Sequence, residues 1–150
     1  MVVTIDQIDV IEILSLERIL PPGEVEEIVE VLNKEIWYRV LHEVLPKYIT
    51  KEEYKTLVAQ HESDKDLVLI MKKVSKNWPN IPMERLALET TRTVKREFIE
   101  NYLKEVLAKH ANYQNGKEIV TQMIKEIRRS EISSEKLDKL RNEFYRLATS

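Results

Sequence analysis

An all-α fold, a single bundle of five to seven helices with two long central members, is what this sequence predicts, and three observations predict it. Apolar residues recur three and four apart along most of the 150 residues, the spacing of one helix face. Prolines, glycines and capping residues punctuate those runs where helices with short connections need them. No alternation of apolar and polar residues is long enough to make a rival strand.

Thr4 and Gln7 are spaced as a capping box, and Ile5, Ile8, Ile11 and Leu14 predict a short amphipathic helix within residues 1–20. Pro21-Pro22-Gly23 breaks the chain. Glu24 to Leu45 is then expected to be the core helix. Val25, Ile28, Val29, Leu32, Ile36 and Val40 form one stripe, and Trp37, Leu41 and Val44 a second, rotated by roughly a third of a turn. A helix apolar round so much of its circumference belongs inside a bundle or against a second copy. Glu24, Glu26 and Glu27 suit the positive end of its dipole, and Pro46 is expected to stop it.

Thr50 and Glu53 make a second capping box, with Ile49 and Tyr54 placed as its hydrophobic staple, and Leu57 and Val58 carry that helix to about Gln60. Ser63-Asp64-Lys65-Asp66 offers a cap for a helix bearing Leu67, Val68, Ile70, Met71 and Val74. The prolines of Trp78-Pro79-Asn80-Ile81-Pro82 separate it from the longest helix, Pro82 to His110. Lys95 falls near the middle of that helix's apolar face and is expected to snorkel, its ammonium in water. After a turn at Asn112–Gly116, residues 113–150 predict a helical hairpin, its second helix capped at Ser133. A shift of 83 residues lays Ile36 to Leu57 over Ile119 to Leu140 in apolar pattern, an echo that any two capped hairpins would give.

One domain is expected over 1–150, with an N-terminal helix (1–20), core helices (24–110) and the C-terminal hairpin (113–150). A chain of this length buries roughly 68–70% of its unfolded surface, so folding needs neither metal nor disulfide. There is no cysteine, which excludes disulfides, thiol catalysis and cysteine-ligated zinc or iron–sulfur centres. The first residues have no basic region of a secretory signal and no stretch is apolar enough to span a membrane, so a cytoplasmic location is expected. Charge is uneven: residues 1–35 hold nine acids and two bases, while the remainder is net basic. A solvated acidic face accounts for that; packing against a basic surface is the sharper reading.

The chemistry-bearing motifs are missing. His42, His61 and His110 are preceded three residues earlier by Arg39, Val58 and Leu107, so no Glu-x-x-His pair exists to bridge metals. His61, Glu62, Asp64 and Asp66 cluster in a turn but lack the glycine and terminal glutamate of a calcium loop. Gly23 and Gly116 stand alone, so no glycine-rich loop cradles phosphate. No serine sits in a nucleophile elbow. No cofactor is expected.

The run from Leu14 to about Leu107 resembles an uncharacterised family of short, acidic, all-helical bacterial proteins. The residues that carry it are Leu20-Pro21-Pro22, Glu26-Glu27-Ile28, Arg39-Val40-Leu41 with Val44-Leu45, Ile49-Thr50 with Glu52-Glu53, and Trp78-Pro79-Asn80. The resemblance implies a helical bundle and brings no activity or ligand with it.

The leading functional expectation is a non-enzymatic interaction or scaffolding module, with a homodimer as one form it can take and Trp37, Tyr38 and Trp78 as anchors because large aromatics dominate interface energetics. The alternative is a nucleic-acid-associated regulator using Arg92, Arg96, Arg128 and Arg129 on basic helix faces. The helix at residues 64–75 is a poor reader, since it presents core-type residues where a groove wants polar ones. An enzyme with an unfamiliar site is the third reading.

Overall fold

The computed structural model describes residues 1–61 and 66–150. The all-α class is observed. Eight α-helices are present among the described residues: α1 (Val10–Ile13), α2 (Leu16–Ile19), α3 (Pro22–Arg39), α4 (Lys51–His61), α5 (Leu67–Asn77), α6 (Met83–Lys109), α7 (Gly116–Ile127) and α8 (Ser134–Ala148). The count exceeds the expected range because the N-terminal helix is broken into single turns. Gln7 accepts a hydrogen bond from Thr4 N at 3.0 Å as its spacing predicts, but only a 3₁₀ turn, Ile5–Gln7, follows. Asp9 then caps a new start, accepting from Ile11 N at 2.9 Å and Glu12 N at 3.4 Å. Ser15, at φ 53°, separates α1 from α2 in the left-handed region.

The residues gather into two compact units, one of residues 1–28 and 95–150 and one of residues 29–94. In the first, α7 packs on α8, α1 packs on both α2 and α8, and β1 (Val2–Val3) pairs antiparallel with β2 (Ile132–Ser133). That strand pair lay below what the sequence pattern reveals. Its core includes Ile5, Leu14, Leu103, Met123, Ile127 and Phe144, all without solvent exposure. Asn115, at φ 63°, takes the left-handed turn residue before α7, while Gly116 serves a different need. A Cβ on Gly116 would lie 3.3 Å from Leu107 Cδ1 and 3.4 Å from Leu147 Cδ1.

In the second unit the core comprises Ile36, Trp37, Val40, Leu41, Leu45, Leu57, Ile70, Val74, Met83 and Val94. Val25 through Val44, expected inside a bundle or against a second copy, is enclosed within the one chain only in part. Only the second half of that segment is core: Leu41 is 0% exposed, whereas Val29 is 42% and Val31 58% exposed. The first half borders water because Glu24, Glu26, Glu27 and Glu30 surround its apolar residues, and a helix cannot bury one flank without drawing these carboxylates from solvent.

The α-helix also ends earlier than expected. After Arg39 the chain widens into a π-helical turn, Val40–Val44, in which Leu45 N donates to Val40 O, and closes with a 3₁₀ turn, Leu45–Lys47. Pro46 accounts for both. It has no N–H for the His42 carbonyl, and its ring would collide with that oxygen in a regular helix. The chain therefore bulges before the proline rather than stopping at it.

Candidate functional site

The π-helical turn is where the second unit gathers its polar and aromatic side chains. Widening the helix turns His42 outward from the Leu41 and Leu45 core positions, and it lies half-buried. Its Nδ1 is 2.6 Å from Tyr54 Oη on α4. Trp37 meets the imidazole edge-on at 5.8 Å between centroids, and Tyr38 meets it tilted at 4.7 Å. Histidine is thus the hub of three aromatic rings. Trp37 Nε1 is buried with no hydrogen-bond acceptor among the described residues.

Beside this cluster, the second capping box closes as its spacing predicts. Glu53 N donates to Thr50 Oγ1 at 3.1 Å and Thr50 N to Glu53 Oε1 at 3.0 Å. The other carboxylate oxygen of Glu53 accepts from the indole Nε1 of Trp78, so one side chain both starts α4 and anchors the connection before α6. The Thr50 backbone bond, then the Trp78 indole and the Thr50 hydroxyl, hold the Glu53 carboxyl below the usual glutamate range.

The expected anchors therefore part company. Trp37 is 5% exposed and belongs to the core, which corrects its assignment as a surface anchor. Trp78 is half-buried and engaged by Glu53. Tyr38 is 50% exposed and remains at the surface.

The basic residues proposed for nucleic acid are mostly engaged within the fold. Arg128 makes a two-point contact with Glu100, at 2.6 and 3.0 Å, which lowers the Glu100 pKa and raises that of the arginine. Arg129 lies 3.5 Å from the buried Glu126, whose other oxygen accepts from Ser133 N at 2.8 Å. Arg96 Nε donates to the Ile127 carbonyl at 3.1 Å, closing the end of α7. Arg92 is half-buried on α6. Glu126 went unnoticed in the sequence because a lone glutamate between Lys125 and Ile127 reads as surface.

Lys95 also departs from expectation. Its ammonium does not extend into water but donates to Asp6 O at 2.9 Å and Ile8 O at 2.8 Å. Burial pushes it below the usual lysine range, while the charges of Asp6 and Asp9 pull the other way. The two carbonyl contacts make it a clamp on the N-terminal segment.

Of the acidic cluster with a histidine, Glu62 to Lys65 lie outside the described residues. His61 is buried at the end of α4, and Asp66 caps α5 by accepting from Val68 N at 2.9 Å. Among the described residues no three histidine or carboxylate side chains converge as metal ligands, and no helix is long and apolar enough to cross a membrane. Two clefts of the first unit, of about 420 and about 480 Å³, are open grooves lined by polar side chains of α7 and α8 together with Ile119 and Leu140, and by residues 113–115 just before α7. Compared with protein-family models, curated proteins and solved structures, the chain matches none.

Proposed function

We propose that this chain is a non-enzymatic interaction module whose contact surface lies on residues 29–94. The observation that carries this reading is the distribution of exposed apolar side chains. Among the described residues nine large hydrophobics are exposed, and seven of them fall in that unit: Val29, Val31, Tyr38, Tyr48, Val68, Leu69 and Leu88. Scattered exposed hydrophobics need no explanation, but their concentration on one unit does. The same unit spends its own aromatic and polar groups on internal contacts, with His42 bonded to Tyr54 and Glu53 to Trp78. Tyr38, half exposed beside the His42 ring, is the aromatic best placed to anchor a partner.

A photo-crosslinking amino acid at position 38 tests the reading, with one at Gln122 on α7 as the control. Incubated in native cell extract and as purified protein, the position-38 variant is expected to give discrete adducts, the control none. Equal labelling at both positions, or none at 38, would remove the proposal.

A further inference from the structure

The turn between α1 and α2 sets a serine where the backbone favours glycine. Ser15 follows the last residue of α1 by two positions, at φ 53° and ψ 35°, the left-handed conformation in which many helices end. Glycine takes that conformation at no steric cost, whereas a side chain brings its Cβ against the following carbonyl oxygen. Ser15 N donates to Glu12 O at 3.0 Å, and Ser15 O accepts from Arg18 N at 3.1 Å. A glycine would make both bonds equally well. The turn gains nothing from the hydroxyl.

What the hydroxyl meets is a cleft of about 390 Å³, lined by residues of α1, α2 and α8. Ser15 is only 9% exposed, yet its Oγ makes no hydrogen bond among the described residues. Native folds rarely leave a buried hydroxyl so. Arg18 lines the same cleft, its guanidinium carbon 4.0 Å from the centroid of the Tyr145 ring. Stacking covers the face of a guanidinium and leaves the N–H donors of its edge open. Neither Arg18 nor Glu17, its exposed neighbour on α2, makes an ion pair among the described residues. The other charges of the cleft are committed. Asp9 accepts from Ile11 N and Glu12 N, and Arg141 Nη1 lies 3.2 Å from Glu12 Oε1. A hydroxyl, a guanidinium and a carboxylate are thus left to act together.

We infer that this cleft binds a free α-amino acid. Arg18 and the Ser15 hydroxyl donate to its carboxylate, and Glu17 accepts from its ammonium. A guanidinium edge presents parallel N–H donors, the geometry that a carboxylate accepts. Charge decides between this ligand and a plain anion. Asp9, Glu12 and Glu17 outnumber Arg18 and Arg141, so the lining is net negative and repels a dianion such as phosphate. A zwitterion is neutral overall and offers each end to the opposite charge. The cleft volume falls within the about 300–1,000 Å³ usual for small-molecule sites. All these residues belong to the unit of residues 1–28 and 95–150, so the inference goes beyond the contact surface proposed on residues 29–94.

Thermal melts of the full chain with each of the common L-amino acids at about 10 mM test the inference, and calorimetric titration gives the affinity of the best of them. At least one is expected to raise the melting temperature by about 2 °C or more. Sodium acetate, methylammonium chloride and inorganic phosphate, each carrying half the charge pattern or the wrong one, should not. Ser15→Gly removes the hydroxyl and relieves the backbone, so it should melt at or above wild type while binding about tenfold more weakly or worse. Its loss of binding then has no source in unfolding. Ser15→Ala and Arg18→Gln are expected to weaken binding by about tenfold or more as well.

No response to any amino acid would overturn the inference. So would an affinity that Ser15→Gly, Ser15→Ala and Arg18→Gln all leave within about twofold of wild type. Acetate, methylammonium or phosphate stabilising the chain as much as the best amino acid would overturn it too. Cross-linking at position 38 reads the other unit, so either proposal can fail while the other stands.

Discussion

His42 and Tyr54 meet at 2.6 Å between Nδ1 and Oη, and this bond ties the π-helical turn to the first turns of α4. The contact is half-buried, so its net worth is that of an ordinary neutral hydrogen bond. Tyr54→Phe keeps the ring contact, 6.0 Å between centroids, and deletes only the hydroxyl. It should cost about 0.5–1.5 kcal/mol in urea unfolding. His42→Ala removes three ring contacts as well and should cost more. In the double variant the two losses should fall short of their sum, because the bond is counted in each. Strict additivity would show that the two side chains do not interact.

Glu53 gives the unit an acid-sensitive point. Its folded pKa is depressed below 4.5 by Thr50 and Trp78, whereas in the unfolded chain it returns to that value. A depressed carboxylate contributes stability above the unfolded pKa and loses it as pH falls through the folded one. Wild type should therefore lose melting temperature below about pH 4.5 more steeply than Glu53→Gln, which has no charge to titrate. Trp78 fluorescence should shift over the same acid window, while that of Trp37, away from the carboxylate, stays constant. A Glu53→Gln curve parallel to wild type would refute the assignment.

How much of this was legible in advance divides along physical lines. Capping boxes are local, so Thr50–Glu53 and the Ser133 cap, which accepts from Lys136 N at 3.3 Å, could be read from spacing alone. The long helix α6 was equally plain, since 27 residues of unbroken period leave little competition. The π-helical turn was not legible, because proline announces an interruption without saying whether the helix stops or bulges. Trp37 and Tyr38 are adjacent in sequence, and only packing decides which is covered. The first half of α3 was misjudged because periodicity counts apolar residues and not the neighbours available to cover them.

Lys95 is the residue whose role changed most between sequence and structure. Lys95→Met keeps the stem and removes the donor, leaving the Asp6 and Ile8 carbonyls without their ammonium. Because the site is half open, water can replace part of the loss, and the expected cost is about 1–2 kcal/mol. Hydrogen exchange should rise first in residues 5–13. The pH dependence has a definite sign. Burial lowers the folded pKa below the unfolded 10.5, so the lysine's charge opposes folding at neutral pH, and this opposition fades as pH rises toward 10.5. The methionine variant should lack that rise. Unchanged exchange in residues 5–13 would mean that the clamp holds nothing.

The division of α3 into a wet half and a dry half makes the sharpest stability test, since the two halves carry the same kind of residue at the same period. Leu41 is 0% exposed among the core of residues 29–94, and Leu41→Ala removes three carbon atoms from a packed site that cannot fully collapse. A loss of about 2–5 kcal/mol is expected. Val31 is 58% exposed, and Val31→Ser trades a wet methyl pair for a wet hydroxyl. Its effect should stay within about 0.5 kcal/mol. A large cost for Val31→Ser would mean that α3 is buried along its whole length.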